Sequence, residues 1–490
     1  MEVYKSSIEE LKQLLDKKEI SSEELVKVYL ERAKSLNQGS NGWISFNDKA
    51  LHQARAIDKK RVSGEKLGLL AGIPLGLKDM FCVKGLRTTA GSKMLENFVA
   101  PYSSTVAKRL IEEGAVIIGK NNQDEFAMGS SNETSYYGAA RNPWNLEYVP
   151  GGSSGGSAAA VSSFSAPAAI GTDTGGSVRQ PANFCGLVGF KPTYGRISRF
   201  GIVSYASSLD QAGPITLTVE DSAILSEIMA GDDENDSTCL QMPPPKWSGV
   251  NGSDIKGLKI GVVKEFLNLH KDPEVEKSFQ KTIDELKAQG TQIVEVSIPL
   301  VKESVSIYYL IAMSEASANL SRYDGVRYGY RSNFEKEPAK DLLDFYSRNR
   351  GESFGSEVKR RICLGAYTLS SGYYEAFYNK ACKVRRLLKE EFLKAYEACE
   401  VIMAPVSSTA AFKVGSKIQD PVQMYNNDIF TSSVNLAGLP AISVPVELNS
   451  EKLPMGVQFI AAPLKEEVLF KAGKSIENIF DFRARCLNVL

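Results

Sequence analysis

The chain has 490 residues, of which 43% are hydrophobic and 24% are charged, as is ordinary for a globular protein with a sizeable core. Lysine and arginine together number 58 and are balanced by 58 aspartates and glutamates, so the formal net charge is zero. This balance excludes a global basic field of the kind that holds nucleic acid without a local patch or a partner protein.

The seven cysteines are scattered along the chain, and no two of them form a C-x-x-C pair. This pattern argues against a disulfide framework and against a zinc site, and it fits a reducing compartment. The N-terminal stretch lacks the apolar core of a signal peptide, and no later run has the length of a membrane span. We therefore expect a cytoplasmic protein, or one from an organelle of bacterial origin.

The beginning of the chain predicts two amphipathic helices. Ser6 with Glu9, and Ser21 with Glu24, have the spacing of capping boxes, and leucine and valine recur behind them at helical intervals. We assign about residues 1–60 to this N-terminal helical segment. The run LGLLAGIPLGLKDMF that follows predicts a buried strand that enters a tight loop.

Two units downstream predict an alternation of helices and strands. In each unit a helix ends at a glycine and a short apolar strand follows. The predicted elements are a helix over 105–113 and a strand over 115–118 in the first unit, and in the second a strand over 258–263, a helix from 272 to 290 and a strand over 293–296. Such alternation indicates a mostly parallel or mixed sheet covered by helices.

Between these units, residues 231–257 are rich in Asp, Asn, Pro, Gly and Ser and predict a long exposed loop. Residues that can carry chemistry lie on both sides of this loop. We therefore expect a single domain over 1–490 with one surface excursion, rather than two independent domains.

Small residues dominate the segment 150–189, which reads PGGSSGGSAAAVSSFSAPAAIGTDTGGSVRQPANFCGLVG. A flexible linker has this glycine and serine content, but the apolar residues between the glycines favour burial. A phosphate-binding loop is excluded because no G-x-x-x-x-G-K-[ST] motif occurs. The nearest match begins at Gly114, has Asn121 in place of the hydroxyl residue, and has an apolar strand in place of the loop.

The remaining interpretation of this segment is a catalytic serine site. Acyl transfer from an amide needs a nucleophile, a base and hydrogen-bond donors that face the developing oxyanion. Ser177 follows two glycines, so successive backbone N–H groups can converge beside its hydroxyl. Ser153, in GGSSGG, offers a second hydroxyl in a backbone with little steric restriction. The pattern differs from the G-x-S-x-G elbow of the hydrolase fold.

The base for such a serine is expected to be a lysine. The chain has two histidines, His52 and His270, and the sequence around each is typical of a solvated surface. Burial lowers the pKa of a lysine towards neutrality and so allows the amine to accept a proton. Lys78 directly follows the apolar run IPLGL, whereas most other lysines lie among charged neighbours. Lys78 is therefore the candidate base.

Three separated motifs, GIPLGLKD around Lys78, GGSSGGS around Ser153 and GTDTGGSVRQPA around Ser177, resemble the amidase signature family with its Ser-cisSer-Lys triad. The stretches EFAMGSSNETSYYG, EASANLSRYDGVRYG, EVKRRICLGAYTLSSGYY and MYNNDIFTSSVNLAGLPAISVP extend the resemblance over nearly the whole chain. Within the family they resemble the subunits that release ammonia from glutamine for tRNA-dependent amidation.

The resemblance implies a single α/β domain whose mixed central sheet lies between helical layers. It also implies the catalytic roles, in which Ser177 attacks the side-chain amide of glutamine and Ser153, in a cis peptide, relays the proton to neutral Lys78. The oxyanion hole that it implies consists of the backbone N–H groups of Thr174, Gly175, Gly176 and Ser177.

The same resemblance implies a site for both ends of the amino acid. Arg361 is the expected cation for the α-carboxylate and Asp428 the expected anion for the α-ammonium, with Tyr308 as a neighbour. From the residues alone, Arg361 would instead be placed in a surface helix pair and Asp428 at a helix cap.

The resemblance implies no metal or organic cofactor in this chain, and ATP and Mg²⁺ for the reaction of a partner. The implied complex is a heterotrimer with two other subunits, conventionally B and C, in which B faces the tRNA and receives ammonia through a channel. The tRNA served, tRNA(Gln), tRNA(Asn) or both, stays open. The alternative is a stand-alone hydrolase of the same family that acts on another small amide.

Overall fold

The computed structural model describes residues 2–250, 252, 255–267, 269, 272–417 and 424–486 of the chain. Eleven strands among these residues form one sheet. They are β1 (Trp43–Phe46), β2 (Pro74–Lys78), β3 (Val116–Asn121), β4 (Ala168–Thr172), β5 (Val188–Lys191), β6 (Ala212–Thr216), β7 (Lys259–Val263), β8 (Gln292–Val296), β9 (Val401–Pro405), β10 (Ala441–Leu448) and β11 (Pro454–Ala461).

The order of the strands across the sheet is β1-β3-β2-β4-β6-β5-β10-β11-β9-β7-β8. Parallel pairs join β2 to β3 and β4 near one edge, and β7 to β8 and β9 at the other. The strands between are antiparallel, as is β1 with β3. Both predicted helix and strand units supply a crossover helix between parallel strands. The predicted mixed sheet is therefore confirmed.

Helices account for most of the remaining regular structure. The α-helices are α1 (Ile8–Asp16), α2 (Ser22–Ser40), α3 (Ala50–Ser63), α4 (Thr105–Glu112), α5 (Gly155–Ser162), α6 (Arg179–Phe184), α7 (Val219–Met229), α8 (Lys264–Leu267), α9 (Pro273–Ala288), α10 (Ser304–Asn319), α11 (Leu342–Ser353), α12 (Ser356–Thr368), α13 (Lys380–Ala395), α14 (Ser432–Leu436), α15 (Glu466–Phe480) and α16 (Phe482–Cys486). Short 3-10 turns occupy Val3–Lys5, Lys93–Leu95, Glu125–Ala127, Pro299–Glu303, Leu320–Arg322 and Asn426–Asp428, and a π-helical turn occupies Glu375–Asn379.

Strand β10 shows that helices cover both faces of the sheet. Its Ser443 lies against α6, beside Ala182, whereas Ile442 and Val444 lie against Gly473 of α15. Because successive side chains of a strand point to opposite faces, α6 and α15 occupy opposite layers. The apolar side chains between these layers and the sheet form the main core. The described residues thus form the single large α/β domain that the sequence predicted.

The N-terminal segment differs from its prediction in two details. The capping box of α1 joins Ser7 and Glu10, one residue later than predicted, while that of α2 joins Ser21 and Glu24 as expected. The segment also contributes β1, which pairs antiparallel with β3 at the edge of the sheet. Four residues are too short a run for a clear periodic signal, so the helical assignment of the segment missed this strand.

The segment 231–257 contains no helix or strand among its described residues, as predicted, but it is not exposed throughout. Trp247 is buried, and its ring lies 5.9 Å from that of Phe190 and 5.7 Å from that of Phe470. The burial of one large aromatic ring attaches the middle of the loop to the core. The prediction of an exposed loop was therefore wrong at this point.

The described cysteine side chains are free thiols, and four of them, at Cys82, Cys185, Cys239 and Cys399, are buried. Buried thiols of this kind act as small apolar side chains in the core. Within the described residues, no helix has both the length and the apolar character that crossing a bilayer requires.

Candidate active site

Lys78 is the last residue of β2. This strand is fully buried and pairs in parallel with β3 on one side and β4 on the other. The side chain of Lys78 is 0% exposed. The amine Nζ lies 2.7 Å from Oγ of Ser153 and 2.8 Å from Oγ1 of Thr172. An amine held by two hydroxyls can donate to one of them and accept from the other once it is neutral.

The surroundings of Lys78 favour this neutral form. Burial lowers the pKa of the amine to about 7, against the opposing effect of the carboxylates of Asp124, Asp173 and Asp210. A large fraction of the amine is therefore uncharged near neutral pH and able to take a proton from Ser153. The apolar run before Lys78 predicted this burial correctly.

Ser153 and Ser177 are brought together by backbone contacts. The Gly152–Ser153 peptide bond is cis, as the family resemblance implied. The next residue, Ser154, donates its backbone N–H to the carbonyl oxygen of Ser177 at 3.2 Å. Ser153 is fully buried, whereas Ser177 keeps 9% exposure. Of the two serines, Ser177 is thus the one that a substrate from solvent can reach.

Asp173 organises the turn that carries Ser177. Its carboxylate accepts the backbone N–H groups of Gly176 at 2.9 Å and Val178 at 3.2 Å. It also receives Nε and Nη2 of the fully buried Arg179, each at 3.0 Å. Although burial alone would raise it, the charge and hydrogen bonds of Arg179 hold the pKa of Asp173 well below its usual range. The turn is therefore fixed around a permanent ion pair.

The turn leaves three of the four predicted oxyanion donors available. The N–H of Gly176 is already bound to Asp173, and its φ of +133° is one that favours glycine. Within the described residues, the N–H groups of Thr174, Gly175 and Ser177 have no hydrogen-bond acceptor. We conclude that Gly176 shapes the turn, while the other three groups are free to face a bound carbonyl.

Arg361 lies on α12 and is only 2% exposed. The alternative that the residues alone favoured, an ion pair on a helix surface, is therefore wrong, because the side chain is buried. Its Nε donates to Oε1 of Glu357 at 2.8 Å, and its Nη1 donates to the hydroxyl of Tyr205 at 2.7 Å. The rings of Tyr309 and Tyr425 lie 5.1 Å and 5.3 Å from its guanidinium carbon. The second N–H of Nη1 and both of Nη2 have no acceptor among the described residues, and this edge matches a carboxylate.

Asp428 does not cap a helix. Its carboxylate accepts the hydroxyl of Ser130, at 3.0 Å from each oxygen, and the hydroxyl of Tyr309 at 3.0 Å. Burial raises the pKa of Asp428 to about 7, against the hydrogen bonds of Ser130 and Tyr309 and the charge of Arg361. A buried carboxyl of this kind gains most from a cationic ligand, which would restore its charge.

Two contacts join the Asp428 region to the serines. Gln180 donates through Nε2 to the carbonyl oxygen of Ser130 and accepts the N–H of Gly152, both at 3.0 Å. Thr431, three residues after Asp428, donates its hydroxyl to the carbonyl oxygen of Gly175 at 2.6 Å. Asp428 therefore lies in a segment that directly contacts the turn carrying Ser177.

Tyr308 contacts the turn itself. A Cβ atom placed on Gly175 would lie 2.6 Å from Cζ of Tyr308 and 2.7 Å from its hydroxyl oxygen, so this glycine leaves the room that the ring occupies. Of the histidines, His52 is exposed on α3, away from the cluster, and His270 lies outside the described residues. All the residues predicted from the sequence for this site, from Lys78 to Asp428, thus belong to one connected cluster.

Several polar residues of the cluster were not predicted individually. Thr172, Asp173, Arg179 and Gln180 all lie within or beside the motif GTDTGGSVRQPA, where an unusual density of polar residues among buried neighbours was the available signal. The remaining contacts come from distant segments. Ser130, Glu357, Tyr425 and Thr431 lie in the stretches that carry the family resemblance, although none was predicted individually. No sequence signal marked Tyr205 or Tyr309.

A search for metal ligands in the described part of the chain finds no group of three or more His, Cys, Asp or Glu side chains that could hold an ion. The buried carboxylates that the cluster does contain are each matched to a different partner. Asp173 is paired with Arg179 and Asp428 with hydroxyls. Each carboxylate therefore serves a separate purpose in the site.

Comparison with known sequences gives a consistent result over the full length. The family model described as Amidase matches residues 24–470. The A subunit of the glutamyl-tRNA(Gln) amidotransferase of Bdellovibrio bacteriovorus is 53% identical over 477 residues, which is 97% of each chain. The protein of the same name from a Geobacter species is 50% identical over 478 residues, or 97% of this chain and 98% of its own length.

Solved structures give the same fold. The crystal structure of the corresponding glutamyl-tRNA(Gln) amidotransferase chain from Thermotoga maritima superposes with a TM-score of 0.81 at 41% identity, covering 97% of this chain and 95% of that one. The native peptide amidase of Stenotrophomonas maltophilia superposes with a TM-score of 0.82 at 28% identity, covering 97% of each chain. The same architecture therefore occurs both in a peptide amidase and in one component of an amidotransferase.

Proposed function

The chain belongs to the amidase family, and from this premise we propose that it is the glutamine-hydrolysing subunit of a tRNA-dependent amidotransferase. It is an amide hydrolase whose relatives over the full length carry that subunit's name. The observation that supports glutamine as substrate is the buried pair of Arg361 and Asp428 beside the nucleophile turn. An amino-acid amide brings one charge for each of them.

The reaction begins with a tetrahedral adduct between Ser177 and the substrate. The Oγ of Ser177 bonds to the side-chain amide carbon of glutamine, while its proton passes to Ser153 and the proton of Ser153 passes to Nζ of neutral Lys78. The amide oxygen takes up the negative charge, and the free N–H groups of Thr174, Gly175 and Ser177 stabilise it. Thr172 accepts an N–H of Lys78 and so directs the lone pair of the amine towards Ser153.

Collapse of this adduct forms the glutamyl ester, and hydrolysis of the ester completes the cycle. The proton held on Lys78 returns through Ser153 to the amide nitrogen, the carbon–nitrogen bond breaks, and ammonia leaves. Water then bonds to the ester carbon and gives a proton to the same relay, which returns it to Oγ of Ser177 as glutamate departs. The cycle needs no metal or organic cofactor, because each step is a proton transfer or a displacement at carbon.

Selection of glutamine rests on three residues. The free edge of the Arg361 guanidinium presents two parallel N–H groups to the α-carboxylate. Asp428 takes the α-ammonium, and Tyr308 packs against Gly175 beside them. Leaving either buried charge without its ligand is unfavourable, so amides that lack one of the two charges are poor substrates.

Ammonia that reached bulk water would be diluted and protonated, so the proposal includes a partner that consumes it. We expect a heterotrimer with the subunits called B and C, in which B contacts the tRNA and uses ATP and Mg²⁺. The net charge of zero agrees with this division, since a chain without a basic field is poorly suited to hold tRNA itself. The free thiols agree with a reducing cytoplasm or an organelle of bacterial origin.

The second candidate function is stand-alone hydrolysis of another amide, which the fold shared with the peptide amidase supports. The two functions are distinguished by purifying the chain at native abundance and measuring its mass and its substrates. The proposal expects a heteromer that hydrolyses glutamine and transfers the nitrogen to Glu-tRNA(Gln) when ATP is present. A monomer with full activity on a peptide amide, and none on glutamine, would overturn it.

A further inference from the structure

Tyr205 is a fully buried residue whose hydroxyl contacts the guanidinium of the site. It lies between β5 and β6, a segment in which the sequence showed no sign of function. Its hydroxyl accepts Nη1 of Arg361 at 2.7 Å, and its ring lies 5.7 Å from the guanidinium carbon. Tyr205 is therefore a direct neighbour of the group proposed to receive the α-carboxylate.

The connection from Tyr205 to the oxyanion turn runs through its backbone. The N–H of Tyr205 donates to Oδ2 of the buried Asp210 at 2.9 Å, and the N–H of Ala206 donates to Oδ1 at 3.1 Å. The same Oδ1 accepts the hydroxyl of Thr174 at 2.7 Å. Thr174 carries one of the three free oxyanion donors. Tyr205 thus reaches the oxyanion turn at Thr174, through the carboxylate of Asp210.

We propose that Tyr205 is a positioning residue that couples binding of the glutamine α-carboxylate at Arg361 to alignment of the oxyanion turn. The proposal rests on the function assigned above. A carboxylate bound to the free edge of the guanidinium fixes the orientation of its plane. The other N–H of Nη1 stays on Tyr205, so the fixed plane holds Tyr205 in place, and through Asp210 it holds Thr174 in the position that receives the oxyanion.

This coupling gives the α-carboxylate an effect on turnover in addition to its effect on binding. A substrate that leaves Arg361 unliganded leaves the plane of the guanidinium less constrained, and the turn with it. Hydrolysis is then fastest with the free amino acid, whose carboxylate completes the arrangement. Interactions that are realised only in the transition state raise kcat, whereas uniform binding changes KM alone.

The test compares Tyr205→Phe with the wild-type chain, each purified with its co-expressed partner subunits, on two substrates. The first is glutamine, and the second is 4-aminobutanamide, which keeps the amide and the ammonium but lacks the α-carboxylate. We expect the kcat for glutamine to fall roughly ten- to a hundredfold in Tyr205→Phe with little change in KM. The kcat for 4-aminobutanamide should stay at its wild-type value.

Two variants support this test. Tyr29→Phe removes another buried hydroxyl, one that donates to the carbonyl oxygen of Tyr4 at 3.1 Å far from the site, and it should leave both substrates unaffected. The double variant Tyr205→Phe/Thr174→Val should lose no more than the larger single effect, because both substitutions interrupt the same connection through Asp210. Thermal unfolding of every variant checks that the fold is retained.

Three results would overturn the coupling. They are a rise in KM with unchanged kcat in Tyr205→Phe, an equal loss on both substrates, and full additivity in the double variant. Failure of the assigned function is a separate result. It would appear in the wild type as absence of any preference for glutamine over 4-aminobutanamide, whatever Tyr205→Phe does.

Discussion

The amine of Lys78 lies 2.7 Å from the hydroxyl oxygen of Ser153, and both groups are sealed from solvent. No histidine takes part among the described residues. The amine proposed as the base consequently owes its neutral form to its surroundings, because the same amine on the surface would keep its proton near neutral pH. Substitutions that preserve the charge but not the proton chemistry should expose this dependence.

Lys78→Arg is expected to be nearly as damaging as Lys78→Ala, because a guanidinium stays protonated and cannot accept a proton from Ser153. Loss of general-base work lowers kcat by roughly a hundredfold or more. Steady-state glutamine hydrolysis with thermal unfolding as a check on the fold measures this. Retention of a tenth or more of the wild-type kcat in Lys78→Arg would count decisively against the assigned base.

Ser177 should carry the acyl group during turnover, since it is the exposed member of the serine pair. Rapid acid quenching followed by mass analysis of peptides should find a glutamyl ester on Ser177 in the wild type. Ser177→Ala should show no ester and no hydrolysis, with an unchanged melting temperature. An adduct on one of the cysteines would refute the serine mechanism.

Amides that lack one of the two charges of glutamine distinguish the proposed role of Arg361 from that of Asp428. Arg361→Ala should impair glutamine by about ten- to a hundredfold in kcat/KM but leave 4-aminobutanamide, which has no α-carboxylate, at its wild-type value. Asp428→Ala should impair glutamine similarly and spare glutaramic acid, which has no α-ammonium. If each variant lost activity equally on all three amides, Arg361 and Asp428 would be structural residues.

The pH dependence of kcat/KM should differ between these substrates. Lys78 and Asp428 both have a pKa of about 7, and both must lose a proton to act on glutamine. As the pH falls below 7, log kcat/KM for glutamine should drop with a slope approaching about two, but with a slope of about one for glutaramic acid. Asp428→Asn should reduce the glutamine slope to about one. A common slope for both substrates in the wild type would contradict ionisation of Asp428 on binding.

The ion pair of Asp173 and Arg179 predicts a stability effect. Both side chains are fully buried, so Arg179→Met leaves a carboxylate unpaired and should lower the free energy of unfolding by about 3–5 kcal/mol. The pKa of Asp173 is lower in the folded protein than in the unfolded chain. The stabilisation is therefore complete at pH values above the pKa of an unfolded aspartate, and it is lost as the pH falls towards the pKa of Asp173 in the folded protein. Urea denaturation measures it, and Asp173→Asn/Arg179→Met should be less destabilised than Arg179→Met. Equal stability of wild type and Arg179→Met would refute the role of the pair.

The cluster of Lys78, Ser153 and Ser177 was predictable because its signals are local. Lys78 ends an apolar run that becomes the fully buried strand β2, and Ser177 follows glycines that free the backbone for a tight turn. The mixed sheet was predictable for a similar reason. A helix that ends at a glycine and lies between two apolar strands indicates that the two strands are parallel. By contrast, the prediction of four oxyanion donors did not account for the acceptor that Asp173 offers to Gly176.

The recognition residues show why the rest could not be predicted from local pattern. Arg361 does pair with Glu357 four residues earlier, as a surface helix would, but its burial depends on tyrosines from other segments. Tyr205, Tyr309 and Tyr425 are separated by more than a hundred residues each, and only the folded sheet brings their rings around one guanidinium. Such contacts leave no periodic signal, so family resemblance supplied this part.

The groups proposed to break the amide all lie between residues 78 and 177, whereas the residues proposed to grip the amino acid lie between 308 and 428. The two sets are nevertheless interlocked. Thr431 donates to the carbonyl oxygen of Gly175, Ser130 donates to Asp428, and Arg361 donates to Tyr205. A chimera that took its later half from another family member, such as the peptide amidase, would therefore keep its nucleophile in place only if it also kept these contacts.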